Sequence, residues 1–408
     1  MNNVYSAGYG FDSPTSAESG TPIPTPSTSR ASSVSQSPST NVPSGPLDLT
    51  PLSTTSWRQP YPSVGQFAMT EPEEVVAAGP NGLFYFRRLQ DHAAKPWTQS
   101  RPLPCVRATL DEFTVSGLAL YLRQNSEKQW SSEERSRLYL YCVSGGVLYN
   151  FYLSDKKNSS FLLDTSLPLA GCKVTGKPTV VRSNTSSDRW SLVVPCQFGG
   201  LFHTSAVDSR YGGSISTKWE AVDRLATDLG IISAVSVTAV ENAIDREIEL
   251  VAVCISSGQL NVVQGSFDYS DGKYDNDSRW KWEGKTSTRI LHPGEVTGNP
   301  ELITDRNNGK IQLDLLVSST EGGIFHFVRT KSAPNDWHMI GRVAFPQNIP
   351  PASCLSFHSR HENSYGTRKL YALVQIRGRL YHVRTTDDKL PWYDARLNPI
   401  VRPGPFLE

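Results

Sequence analysis

The segments IQLDLLVSSTEGGIFHFVRTKSAPNDW (311–337) and RKLYALVQIRGRLYHVRTTDDKLPW (368–392) share one pattern. In each, an apolar strand leads through a glycine-containing turn into a second, aromatic-rich strand, and the following loop ends at a tryptophan. Weaker copies of this unit lie at 73–97, 137–161, 190–208 and 248–268. A strand–turn–strand unit that recurs in this way predicts an all-β repeat protein.

The spacing of the units predicts the architecture. We call the first aliphatic residue after each turn its marker; the markers are Leu83, Leu148, Leu201, Leu260, Ile324 and Leu380. Successive markers are about 53 to 65 residues apart, which fits a four-stranded antiparallel sheet. A sheet of this kind cannot bury both of its faces alone, but six of them packed around an axis can. The repeat therefore predicts a single β-propeller of six blades. Seven blades are the alternative, if residues 100–135 form a blade of their own.

Closure of the ring needs a strand that the first unit lacks. Either residues 63–69 or residues 396–406 should complete the sheet of that unit. Residues 1–62 are rich in Ser, Thr and Pro and poor in large aliphatic residues, so we expect a disordered tail there and a propeller domain over 63–408. Five Ser/Thr-Pro dipeptides in the tail favour phosphorylation and a protein partner recruited through it.

Charge and hydropathy exclude several classes of partner. The net charge of +1 and the scattered basic residues argue against nucleic acid. No apolar run reaches the roughly 18 residues that a membrane span requires. The N-terminus has no signal peptide pattern, so we expect a cytoplasmic protein, with the nucleus as the alternative. Cys142, Cys196 and Cys254 lie in apolar strand-like runs, which predicts buried, reduced thiols.

We expect no cofactor, no metal and no catalytic residue. The segment GCKVTGK (171–177) has the spacing of a phosphate-binding loop, but Pro178 replaces the hydroxyl residue that such a loop requires. Cys354, His358 and His361 lack a fourth ligand for zinc. The sequence therefore leaves the enzyme question open and favours a protein without catalytic activity.

A polar set recurs in units one, five and six: His or Tyr two residues after the marker, then Arg, then Trp. Arg and His side chains donate hydrogen bonds to sugar hydroxyls, and an indole packs against the C–H face of a sugar. The same residues also suit turns and packing between sheets. The candidate ligand-binding residues are Arg87, Trp97, His326, Arg329, Trp337, His382, Arg384 and Trp392.

The GGIFHFVR…W and GRLYHVR…W units resemble those of β-propellers grouped with the fucose-specific and tectonin-type lectins of fungi and bacteria. The resemblance implies a carbohydrate-binding propeller, with an Arg-x-Tyr/Trp strand and a Glu or Gln partner in each blade. This chain shows no regular Glu or Gln partner in its sequence. The leading hypothesis is a non-catalytic protein that binds a glycan or a small molecule.

Two alternatives stay open. Some fungal propellers of similar size are cofactor-independent cyclases of the hetero-Diels–Alderase type, which the chain also resembles. A cyclase needs a shaped apolar pocket in the central channel. The second alternative is a protein-interaction scaffold that works through the tail.

Overall fold

In the computed structural model of the chain, the described residues are 65–70, 74–79, 82–87, 101–103, 110, 114–124, 136–155, 160–164, 169, 172–182, 189–211, 214–241, 248–267, 281–282, 288–290, 292, 294–307, 310–330, 336–343, 351–361, 368–376 and 378–384. The predicted tail, residues 1–62, lies outside them.

Antiparallel strands build six sheets along these residues. The first sheet consists of β1 (Phe67–Met69), β2 (Glu74–Gly79), β3 (Gly82–Arg87) and β4 (Arg101–Leu103). The second consists of β5 (Val115–Gln124), β6 (Ser136–Ser144), β7 (Val147–Asp155) and β8 (Ser160–Asp164). The third consists of β9 (Thr179–Arg182), β10 (Arg189–Pro195), β11 (Leu201–Tyr211), β12 (Ser214–Trp219) and β13 (Asp223–Leu225).

A 3-10 turn, Thr227–Leu229, leads to the second half of the ring. The fourth sheet consists of β14 (Ile232–Glu241), β15 (Ile248–Ser256), β16 (Gln259–Phe267), β17 (Lys281–Trp282) and β18 (Thr288–Ile290). The fifth consists of β19 (Val296–Asn307), β20 (Lys310–Ser319), β21 (Ile324–Thr330) and β22 (His338–Val343). The sixth consists of β23 (Cys354–His361), β24 (Arg368–Ile376) and β25 (Arg379–Arg384).

The repeat alignment is confirmed strand by strand. All six markers lie at or near the start of the third strand of a sheet and are at most 8% exposed. The turn before each marker contains a glycine with positive φ, as at Gly145–Gly146 between Ser144 and Val147. Two consecutive residues of positive φ form the turn that matches the twist of the flanking strands.

The first strands of the six sheets surround a common axis. Each contacts the first strand of the next sheet, and β23 of the last sheet contacts β1 of the first, so the arrangement is a closed β-propeller. Residues 67–69 supply the strand that the first unit lacked, because β1 pairs with β2. Residues 101–103 and 115–124 belong to the first and second sheets, so these parts of 100–135 form no separate blade.

Apolar side chains fill the spaces between neighbouring sheets. At the closure, Phe67 and Phe86 of the first sheet pack with Cys354 and Leu373 of the last, and the Cys354 thiol donates to the Phe67 carbonyl at 3.6 Å. Cys142, Cys196 and Cys254 are buried and free, as the sequence predicted. No helix among the residues described above is long and apolar enough to cross a membrane.

A buried ion pair occupies the central channel. Lys177, two residues before β9 of the third sheet, reaches past the fourth sheet to the Glu301 carboxylate of the fifth. Its ammonium group also donates to the Leu355 carbonyl of the sixth sheet at 3.4 Å. Asn299 adds three hydrogen bonds, two to the Leu355 backbone at 2.8 and 2.9 Å and one to Glu301 at 2.8 Å. This polar network connects three of the six sheets.

Candidate functional site

The sequence-predicted residues lie in the third strands and the segments that follow them. Arg87 is exposed at the end of β3 and lies opposite Glu74 of β2. His382 and Arg384 lie in β25, opposite Leu373 and Tyr371 of β24. Trp97 and Trp392 lie outside the described residues, so the tryptophan of the first and last candidate sets has no placement.

The three candidate sets are not equivalent in strand register. Arg87 and Arg384 each lie four residues after their marker, whereas Arg329 lies five residues after Ile324. Successive residues of a strand point to opposite faces of its sheet. Arg87 therefore shares a face with Tyr85, while Arg329 lies on the face opposite to His326. The structure separates the histidine and the arginine of the fifth unit.

His326 lies in a buried polar pair of its own. Its Nε2 atom is 2.8 Å from Oδ1 of Asp314 on the neighbouring strand β20, and both side chains are at most 2% exposed. Gln312 donates to the same carboxylate at 3.2 Å. The imidazole contacts the Phe357 ring of the sixth sheet, with centroids 6.3 Å apart. This environment fits a structural role between the fifth and sixth sheets.

Arg329 lies on the other face, in the cleft between the fourth and fifth sheets. Its guanidinium is 1% exposed and donates from Nη2 to both carboxylate oxygens of Glu249, at 2.8 and 2.9 Å. Glu249, on β15, keeps 30% of its side chain exposed and also accepts from Nε2 of Gln264 at 3.0 Å. The two charges neutralise each other at the mouth of this cleft.

Trp337 forms the outer wall of the same cleft. The Arg329 guanidinium lies 5.8 Å from the centre of the Trp337 ring, a cation–π distance. Nε and Nη1 of Arg329 and Nε1 of Trp337 are buried, and no described residue accepts a hydrogen bond from them. Buried donors without an acceptor are costly. We call Arg329, Glu249, Gln264 and Trp337 the Arg–Glu cleft.

The tryptophan of this cleft occupies a repeated position. Trp219 of the third sheet pairs with Ala206 and Trp282 of the fourth pairs with Gly265, in each case five residues after the marker. In the fifth sheet, Val328 pairs with His338, so the next residues along the two chains, Arg329 and Trp337, lie opposite each other. Arg329 is also five residues after its marker. Each of these rings packs in the cleft between its own sheet and the preceding one.

Glu249 and Gln264 were missed by sequence reasoning. Glu249 precedes Arg329 by 80 residues and belongs to the preceding sheet. A search within each unit could not find a partner that comes from the neighbouring sheet. The available signal was a Glu in an otherwise apolar strand, IELVAVCIS (248–256).

A charged pair, and not an apolar lining of the kind that a cyclase requires, is found among the described residues of the central channel. Lys177 and Glu301 cross it with side chains that are 9% and 12% exposed. The second and third sheets also approach closely at this end, since a Cβ atom on Gly117 would lie 2.2 Å from the Gly176 carbonyl oxygen. The described side chains that meet there are charged or polar. This finding weighs against a cyclase that uses the channel.

The architecture matches known lectins. Structures of the Aleuria aurantia lectin bound to Fucα1-6GlcNAc and of AofleA from Arthrobotrys oligospora, the latter a mutant with three arginines replaced by alanine, superpose on the chain, each with a TM-score of 0.50. The former is 12% identical and covers 84% of this chain and 96% of its own; the latter is 14% identical and covers 79% and 83%. At the level of the fold, this chain resembles the fucose lectins. No family model and no curated protein sequence matches it.

The predicted resemblance is thus confirmed for the fold. Identities this low carry no information about which residues bind a ligand. The Arg–Glu cleft therefore has to be judged by its own chemistry.

Proposed function

We propose that this protein is a lectin that binds a neutral glycan in the Arg–Glu cleft, without catalysis. The observation that carries the proposal is the buried Arg329 guanidinium with two unpaired nitrogens beside the indole of Trp337. The fucose lectins with the same fold support the choice of ligand class.

The donors and acceptors of the cleft fit a sugar. Nε and Nη1 of Arg329 and Nε1 of Trp337 can donate to sugar oxygens, and the Glu249 carboxylate can accept from a hydroxyl group. The Trp337 ring offers an apolar surface to the C–H face of a pyranose. A sugar would reach these buried donors by displacing the half-buried Trp337 ring, and it would then satisfy donors that have no acceptor among the described residues.

The charge balance selects neutral sugars. Glu249 already neutralises Arg329 through two hydrogen bonds, so an added carboxylate or sulfate would meet no net positive charge. Anionic sugars would also be repelled by the partly exposed Glu249 carboxylate. We therefore expect no preference for sialylated or sulfated glycans.

A glycan array with the full chain tests the proposal. We expect binding to neutral glycans, and Trp337→Leu should weaken it at least about tenfold, or about 1.4 kcal/mol. Arg329→Lys should weaken it similarly, because an ammonium group lacks the planar fork that holds Glu249 and a sugar together.

Trp219→Leu is the matched control. Trp219 has the same register position in the third sheet, but other aromatic rings surround it, including Trp190 at 6.2 Å. This variant should keep the affinity of the wild type. An array without neutral glycan binding would refute the proposed function, and equal loss in both tryptophan variants would refute the location of the site.

A further inference from the structure

The cleft between the third and fourth sheets holds a buried histidine without a partner. His203 is 3% exposed, and no described residue accepts from or donates to either of its ring nitrogens. The nearest carboxylate oxygen, on Asp223, is 4.0 Å from Nδ1, beyond hydrogen-bond distance. An imidazole always carries at least one N–H, so the isolation of both nitrogens is unfavourable.

The register explains why His203 has no partner. His203 and His326 both lie two residues after their marker. In the fifth sheet, Asp314 accepts from His326, and the position of Asp314 corresponds to Ser191 in the third sheet. The Ser191 hydroxyl is bonded instead to Ser205 at 3.1 Å.

An indole faces this histidine across the cleft. The Trp282 ring stands edge-to-face with His203, with centroids 5.6 Å apart. Its Nε1 atom is buried and has no acceptor among the described residues. Gly265 lies opposite Trp282, at the position of Arg329 in the fifth sheet, so no side chain projects there toward the indole.

The cleft reaches solvent at its rim. Trp282 is only partly buried, and Asp223 keeps 48% of its side chain exposed. The cleft thus contains one indole donor, Trp282 Nε1, and one imidazole, His203, which offers one donor and one acceptor. Burial lowers the pKa of His203 to about 4, so the imidazole is neutral at physiological pH.

We propose that His203 and Trp282 form a second ligand site, which takes one uncharged, hydroxylated ring such as a monosaccharide unit of a glycan. A sugar hydroxyl that displaces the partly buried Trp282 ring both donates and accepts, which matches the two buried, unpaired nitrogens of a neutral imidazole. An anion would gain no charged donor here. The inference rests on the proposed function, but its residues differ from the Arg–Glu cleft, since no arginine takes part.

Fluorine NMR of the full chain labelled with 5-fluorotryptophan tests both sites at once. The Trp282 and Trp337 signals are assigned with Trp→Phe variants, and methyl α-L-fucoside, methyl α-D-mannoside and methyl β-D-galactoside are titrated separately. We expect the Trp282 signal to shift saturably with at least one glycoside. His203→Leu should weaken that response at least tenfold and leave the Trp337 response unchanged, whereas Arg329→Lys should do the reverse.

The possible results separate the two proposals. A Trp337 response without any Trp282 response overturns the second site alone. A Trp282 response that His203→Leu and His203→Asn both leave unchanged also overturns it, because the imidazole then takes no part. A Trp282 response without a Trp337 response supports the second site and overturns the Arg–Glu cleft. Silence of both signals overturns both.

Discussion

The ion pair in the central channel predicts a large and asymmetric effect of single substitutions. Glu301→Gln keeps the size of the side chain and the oxygen that accepts from Asn299, but it removes the negative charge. The Lys177 ammonium, on a side chain that is 9% exposed, would then be buried without a counterion. Removal of one partner of a buried pair costs about 3–5 kcal/mol of stability.

Adding Lys177→Met to Glu301→Gln should restore much of the lost stability. Lys177→Met removes the remaining charge and preserves most of the volume, and neutral replacements of buried ion pairs are often tolerated. We expect Glu301→Gln alone to lower the free energy of unfolding by about 3–5 kcal/mol. The variant Lys177→Met/Glu301→Gln should be at least about 2 kcal/mol more stable than the sum of the single effects predicts.

Urea unfolding followed by tryptophan fluorescence measures these differences. Asp336→Asn is the control, because the His338–Asp336 pair is 63% and 60% exposed and its loss should change stability by less than about 0.5 kcal/mol. If the double variant lost the sum of the two single effects, Lys177 and Glu301 would act independently. The channel would then contain no coupled pair, and the reasoning would be refuted.

Three further predictions concern the channel and the neighbouring clefts. Gly117→Ala should cost about 3 kcal/mol in urea unfolding because its Cβ would overlap the Gly176 backbone, whereas Ser116→Ala, at an exposed neighbour, should be close to neutral. Asn299→Ala should cost about 3 kcal/mol in the same assay, because the buried N–H of Leu355 loses its acceptor and the Leu355 C=O keeps only the longer bond from Lys177, at 3.4 Å; a cost below about 1 kcal/mol would contradict this role. His203 stays neutral in the folded state until the pH approaches its folded pKa of about 4, whereas in the unfolded state it takes up a proton below its ordinary pKa of 6.5, so stability falls as the pH drops from 6.5 to 4. Between pH 7 and pH 4, wild type should lose about 3 kcal/mol more than His203→Leu, and parallel pH profiles of the two would contradict the assignment.

The sequence was sufficient for the repeat and its alignment because both depend on local signals. Alternating apolar residues and a glycine turn fix the second and third strands of each unit, as around Leu83 and Ile324. The closing strand, residues 67–69, could only be named as one of two candidates. Its pairing with β2 involves three residue pairs, and so short a segment gives little periodic signal.

The candidate site was only partly predictable, for two physical reasons. Arg329 and Trp337 were found because they lie in one unit, but Glu249 comes from the preceding sheet, and only the assembled ring brings it to the guanidinium. Strand parity was the second difficulty. One residue of difference in spacing turns Arg329 to the face opposite to that of His326, so the three His/Tyr-Arg-Trp sets looked alike in sequence and are not alike in space.

The three clefts that share a tryptophan position show how one fold yields different sites. In the third sheet, Trp219 meets Trp190 and Tyr141, which fill the cleft with rings. In the fourth sheet, Trp282 faces the neutral imidazole of His203, and in the fifth, Trp337 covers the Arg329 guanidinium. The backbone register is the same in all three, so any difference in glycan binding among them must come from these partners. Trp219 Nε1 is buried without an acceptor among the described residues, as are Trp282 Nε1 and Trp337 Nε1, so an unpaired indole nitrogen alone does not distinguish the clefts. The ring-filled cleft, which has neither a guanidinium nor an unpaired imidazole beside its tryptophan, is therefore the internal reference against which both proposed sites can be measured.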